Sequence, residues 1–156
     1  MLQGFVAVGI GASLGAWLRW WLGNWFNAAT PNLPAGTLIA NLVGGYLIGI
    51  AMQYFSTRSG LSPELRLFCV TGFLGALTTF STFSAEAVGL LSRGDYGWAF
   101  AHTASHLIGS LIATYAGIPA LRMMQGAWSD ARGGPWRLAP RPCESARQAP
   151  SGCWHR

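Results

Sequence analysis

The chain has 156 residues, 51% of them apolar, with 21 glycines, 10 basic and 5 acidic side chains. Every basic residue is Arg, and the first 122 residues carry only Arg19, Arg58, Glu64, Arg66, Glu86, Arg93, Asp95 and Arg122. Globular surfaces are charged at about a quarter of their residues, so this composition argues against a soluble domain. It argues equally against disorder over most of the length.

Apolar stretches approach the roughly 20 residues that a bilayer core demands at about 4–22, 36–55, 67–91 and 98–121. The sequence therefore predicts an all-α integral membrane protein with four transmembrane helices. The first stretch is not a signal peptide, because no positive charge precedes it and no cleavage pattern follows. It ends in Trp17, Trp20, Trp21 and Trp25, and Trp98 opens the fourth, as expected of rings at a membrane interface.

Along the first span, Gly11 and Gly15 stand four apart, as do Gly45 and Gly49 in the second, so each pair shares a helix face. Small residues at that spacing let backbones approach, and the bland reading is helix packing alone. The second span also carries Thr37 and Asn41 on one face. Between these spans, Asn24 to Ala35 is an uncharged loop holding Pro31 and Pro34, and Ser56 to Arg66 forms the second connection.

The third span is the most informative. Residues 71–84 read TGFLGALTTFSTFS, with Gly72 and Gly75 ahead of Thr78, Thr79, Ser81, Thr82 and Ser84. Glycines and β-branched residues weaken a helix, and backbone groups freed by a break in lipid must line a cavity or bind something. This predicts that the third helix is broken at mid-membrane. The alternative is a continuous helix whose hydroxyls bond back one turn. Phe80 and Phe83 lie three apart, so they present adjacent rings. Such a pair is commonly packing, but electropositive ring edges in a dry pore can also stabilise a small anion. A fixed buried cation would bind the anion too tightly to release it.

After a turn at Ser92 to Gly97, the fourth span places His102, His106, Ser110 and Thr114 at strict four-residue spacing, a polar stripe that suits a pathway. His102 and His106 also have the spacing of a two-His metal pair, but no carboxylate accompanies them on that helix. Arg19, in the last turn of the first span, either snorkels to the interface or supplies a positive vestibule. Glu86 is an intramembrane carboxylate and so a functional candidate, read as a helix-pairing or gating group.

Cys69 reads as a small apolar residue in a membrane helix. Residues 123–156 hold Pro135, Pro140, Pro142, Pro150, five arginines and the remaining Cys143 and Cys153, and read as a basic, disordered tail. The sequence thus divides into a transmembrane domain at 1–122 and a tail at 123–156. Four spans put both termini on one side, together with Arg58, Arg66 and Arg122, against Arg19 and Arg93 on the other. That bias is weak, so the bundle could insert either way up, although Arg132 and Arg137 favour cytoplasmic termini.

The segments GIGASLGAWLRW (9–20), NLPAGTLIANLVGGYLIG (32–49), GFLGALTTFSTFS (72–84) and HLIGSLIAT (106–114) resemble the four spans of the Fluc or CrcB family of small fluoride channels. The resemblance runs from about residue 4 to 122, and TTFSTF with GTLIAN is its most specific part. It implies a dual-topology homodimer of antiparallel subunits in the cell membrane, enclosing two pores and passing fluoride passively out of the cytoplasm. On these positions Phe80 and Phe83 form the aromatic box, Asn41 donates its amide to fluoride, Ser81 and Thr82 sit beside the rings, and Ser110 and Thr114 continue the polar track. The resemblance also implies a structural, untransported sodium ion held by the backbone carbonyls of Gly75 and Thr78.

Two features depart from the family pattern. His106 stands where many relatives have a smaller hydroxyl or another polar residue, and the basic tail exceeds the usual length. Hydrogen fluoride crosses membranes as the neutral acid and ionises inside, so a passive conduit suffices; no ATP site, coupling acid, enzymatic step or nucleic-acid partner is expected. The competing reading is a proton-coupled small multidrug exporter, also four short spans in a dual-topology dimer. It needs a carboxylate in the first span, and residues 4–18 contain none. A membrane enzyme using Glu86 with His106 lacks a nucleophile or metal set.

Overall fold

The computed structural model describes residues 1–132 apart from 31, 32 and 59, and for 29 and 128–132 it describes the backbone alone. All the regular secondary structure among the described residues is helical. Four segments are long and apolar enough to cross a membrane: Leu2–Phe26, Ala35–Thr57, Pro63–Ser92 and Tyr96–Ala127, called here the first to fourth spans. Each is a few residues longer than the apolar runs that announced it, because hydropathy marks the lipid core while the helices run on into the polar flanks.

The connections are closed by side-chain caps. The second helix starts at Ala35 after Pro34, which offers no capping side chain. Asn27 at the end of the first span substitutes for it: its Oδ1 accepts from the amides of Gly36 at 2.8 Å and Thr37 at 3.3 Å. Ser62 caps the third span by accepting from the Leu65 amide, with Pro63 in the first turn. Gly94 turns the third connection with φ +79°, a conformation that a side chain would strain.

The third span is not one uniform helix. After Pro63–Arg66 it widens into a π-helical stretch, Leu67–Leu74, then tightens to a short turn, Gly75–Leu77. Thr78 and Thr79 are extended, with ψ of 148° and 113°, and α-helix resumes over Phe80–Ser92. The break falls inside the hydroxyl run, three to four residues past Gly75, because Thr79 can cap the helix that restarts there. Its Oγ1 accepts from the Thr82 amide at 3.1 Å. The π-helical stretch left no sign in the residue pattern.

Both glycine pairs are packing faces. A Cβ on Gly11 or Gly15 would run into the carbonyls of Phe68 and Phe73, which lie on the third span. Gly49 meets the Thr114 carbonyl in the same way, and Gly117 returns the contact to Tyr46. First against third and second against fourth is the resulting pairing, at backbone contact. The apolar core of the single chain is small, centred on Ala40, Leu74 and Leu77. Trp17, Trp20 and Trp25 and most large apolar side chains face outward, as a lipid-embedded chain requires.

The last helix continues to Arg132. Residues 123–132 of the segment read above as a disordered tail are therefore helical; MMQGAWSDAR contains no proline, and GGP comes only at 133–135. The chain divides into compact units at Met1–Arg122 and Met123–Arg156. The remainder of the tail, with Cys143 and Cys153, lies outside the described residues.

Candidate functional site

The break brings residues from three spans together through the side chain of Asn41. Its Oδ1 accepts from the Thr79 amide at 2.7 Å, and its Nδ2 donates to the Thr79 carbonyl at 3.2 Å. The second amide hydrogen faces His106 Nδ1 at 3.0 Å, so Nδ1 is the accepting nitrogen. Both donors that the sequence reading offered to an anion are thus already engaged within the chain.

Backbone carbonyls ahead of the break lose their helical donors. In a continuous helix the Thr79 amide would bond to Gly75, but it goes to Asn41. The Thr82 amide, which would bond to Thr78, goes to Thr79 Oγ1. The carbonyls of Gly75 and Thr78 are therefore among those left without a helical donor. Both residues line a groove of about 660 Å³ together with Asn41, Phe80, Phe83 and Ser110. Thr114 lines the same groove, so the lower half of the fourth-span polar stripe opens onto it.

Phe80 and Phe83 lie side by side with centroids 5.5 Å apart, yet their environments differ. Phe80 is 80% exposed. Phe83 is half-buried against the fourth span, stacked on His102 at 5.4 Å and tilted against His106 at 5.0 Å. Beside the rings, Thr79 Oγ1 bonds to Thr82 Oγ1 at 3.0 Å and approaches Ser81 Oγ at 3.3 Å. Arg19 reaches into this hydroxyl cluster rather than only outward: its guanidinium lies 3.5 Å from Thr82 Oγ1.

On the far side of Phe83 sits a cluster that one-dimensional spacing could not reveal. Glu86 Oε1 accepts from Thr37 Oγ1 at 2.7 Å, and Thr37 in turn lies 3.5 Å from Asn27 Nδ2. The other oxygen, Oε2, is 3.6 Å from His102 Nε2. The carboxylate missing from the fourth helix is therefore supplied by the third span. His102 and His106 are almost fully buried. Among the described residues, His102 Nδ1, His106 Nε2, Glu86 Oε2 and Arg19 Nε have no hydrogen-bond partner. The cue in the sequence was the pair of histidines one turn apart; its weight was lost by seeking a third ligand on the same helix.

Comparison with known proteins places the chain in a family. The sequence model of the family described as "CrcB-like protein, Camphor Resistance (CrcB)" matches residues 6–118. The chain is 60% identical over 121 residues to the fluoride-specific ion channel FluC of Cupriavidus pinatubonensis, covering 78% of this chain and 96% of that protein. It is 58% identical over 123 residues to the FluC of Nitrosospira multiformis, covering 79% and 96%. With the FluC of Pseudomonas putida the identity is 52% over 126 residues, 81% of this chain and 99% of the relative.

Proposed function

The chain belongs to the CrcB family of multi-pass membrane proteins, and from that premise we propose that it is a fluoride-specific ion channel. It lets fluoride leave the cytoplasm passively, driven by the membrane potential. The observation that carries this reading is the break at Thr78 and Thr79 beside an adjacent Phe80 and Phe83 pair and Asn41, all on one groove.

A small hard anion pays heavily for losing its water, so the pathway must offer several weak donors rather than one strong charge. Ring edges of Phe80 and Phe83, hydroxyls of Ser81, Thr82, Ser110 and Thr114, and the Asn41 amide form such a set. An ion arriving at Asn41 competes with His106 Nδ1 for one amide hydrogen, which keeps binding reversible. Arg19 draws anions toward the hydroxyl cluster, and Glu86 with His106 borders the far side of the ring as a gating group.

The working unit in this proposal is an antiparallel, dual-topology homodimer in the cell membrane, with the helix break at mid-bilayer. The exposed Phe80 and the groove would then be completed by a second copy. A structural sodium ion fits the chain's own chemistry, since Gly75 and Thr78 present carbonyls relieved of their helical donors, and hard cations take oxygen ligands. Bound there, the ion would supply positive charge that holds those carbonyls in place without being transported.

Purified protein in liposomes loaded with potassium fluoride tests the reading. Valinomycin should release fluoride, and equivalent chloride vesicles should stay loaded, with no proton gradient imposed. Absence of fluoride release, or release that requires a pH gradient, overturns it in favour of a proton-coupled exporter.

A further inference from the structure

We propose that Glu86, His102 and His106 form a binding site for a divalent transition-metal ion of the zinc class, distinct from the carbonyls of Gly75 and Thr78. One ligand atom from each residue lies within 4.8 Å of the others. His102 and His106 stand one helical turn apart with ring centroids at 4.4 Å, the spacing by which a helix offers two imidazoles to one ion. Glu86 supplies the carboxylate from the third span. Two imidazoles and a carboxylate are a borderline donor set that suits zinc, copper or nickel, and it suits sodium, calcium or magnesium poorly.

Burial without partners is the independent observation. His102 is 0% exposed and His106 4% exposed. His102 Nδ1, His106 Nε2 and Glu86 Oε2 have no hydrogen-bond partner. Polar atoms are rarely left so in a packed interior, and these belong to the three side chains that the third and fourth spans bring together.

The surrounding contacts are those that orient metal ligands. Thr37 Oγ1 holds the far carboxylate oxygen of Glu86 at 2.7 Å. His102 turns Nε2 toward Glu86 Oε2 at 3.6 Å, and the Phe83 carbonyl, 3.4 Å from the same nitrogen, borders the ring there. His106 is the adjustable member. Coordination through its Nε2 puts the ring proton on Nδ1, so the Asn41 amide hydrogen now 3.0 Å away must turn aside. Loading the site therefore frees one donor of Asn41 and places a divalent charge beside the ring of Phe83.

Equilibrium dialysis of the detergent-purified full chain against zinc, with cobalt(II) as the spectroscopic substitute, tests the site. The unaltered protein should bind cobalt with visible ligand-field bands of a nitrogen and oxygen site, without the near-ultraviolet sulfur charge-transfer bands that Cys69, Cys143 or Cys153 would give. His102→Ala and His106→Ala should each weaken zinc binding by at least about tenfold, the scale on which ligand-site changes act. Absence of the ligand-field bands in the unaltered protein overturns the proposal, whatever the variants do. So does zinc binding that keeps its affinity in both variants.

Discussion

Asn41 holds Thr79 at both ends of one residue: the Thr79 amide donates to Oδ1 at 2.7 Å and the Thr79 carbonyl accepts from Nδ2 at 3.2 Å. The side-chain amide thus replaces a neighbouring strand for an extended residue inside the third span. The interruption is consequently fixed in register, and the rings of Phe80 and Phe83 start from a defined point.

Asn41→Ala should therefore lower stability as well as flux. Thr79 is buried, and a buried backbone group left unpaired costs about 1–3 kcal/mol. Asn41→Asp retains an acceptor for the Thr79 amide but loses both amide hydrogens, so it should keep more thermal stability than alanine while still losing fluoride flux. Thermal unfolding in detergent, read beside liposome efflux, separates the two effects. A melting temperature unchanged in Asn41→Ala would detach this residue from the break.

The two phenylalanines should respond alike in flux and differently in stability. Phe80 is mostly exposed in the single chain, so Phe80→Ile should melt close to the unaltered protein. Phe83 stacks on His102 and His106, and losing such ring contacts costs about 0.5–1.5 kcal/mol each beyond area. Phe83→Ile should melt lower. Both should cut fluoride efflux with the dimer still assembled, and unaltered efflux in both would return the rings to simple packing.

Much of this arrangement was legible in the residues because it rests on short-range chemistry. Four apolar runs, the glycine pairs and the hydroxyl run each specify what they do within one or two turns. The Glu86, His102 and His106 cluster was not legible, because it forms between spans separated by a connection, and helical periodicity says nothing about which faces meet. The same limit applied to Arg19, whose contact with Thr82 lies 63 residues away. The helix through Arg132 was missed for another reason: residues past the apolar run continue a helix on propensity alone.

Gly49 and Gly75 differ in what a side chain would meet within the chain. A Cβ at Gly49 would meet the Thr114 carbonyl, so Gly49→Ala should destabilise each chain by forcing the second and fourth spans apart. At Gly75 the nearest atom to a Cβ, Val70 O, is 3.6 Å away, an ordinary contact. Gly75→Val should therefore leave helical content largely intact while weakening the proposed dimer and its proposed dependence on sodium. Circular dichroism and the dimer fraction measured with sodium or with a large organic cation check this. Dimer stability of the unaltered protein that ignores sodium would remove the cation from the proposal.

The charge balance makes the last prediction, which concerns insertion. Within the first 122 residues, Arg58, Arg66 and Arg122 share a side with the termini, and Arg19 and Arg93 lie opposite. Deleting residues 133–156 removes Arg137, Arg141, Arg147 and Arg156 and one acid, Glu144, from the side of the termini. Because basic residues near a span are retained in the cytoplasm, the full chain should insert with its termini mostly inside, and the shortened chain should insert more evenly. A cysteine at the exposed Ser92, beside the third connection, reports the orientation when intact cells are treated with a membrane-impermeant thiol reagent. The full chain carrying Ser92→Cys should label predominantly from outside, and the shortened one in part from each side. Complete labelling from one side in the shortened chain would mean a single orientation. An antiparallel dimer could not then form, however well the groove beside Phe80 suits a second copy.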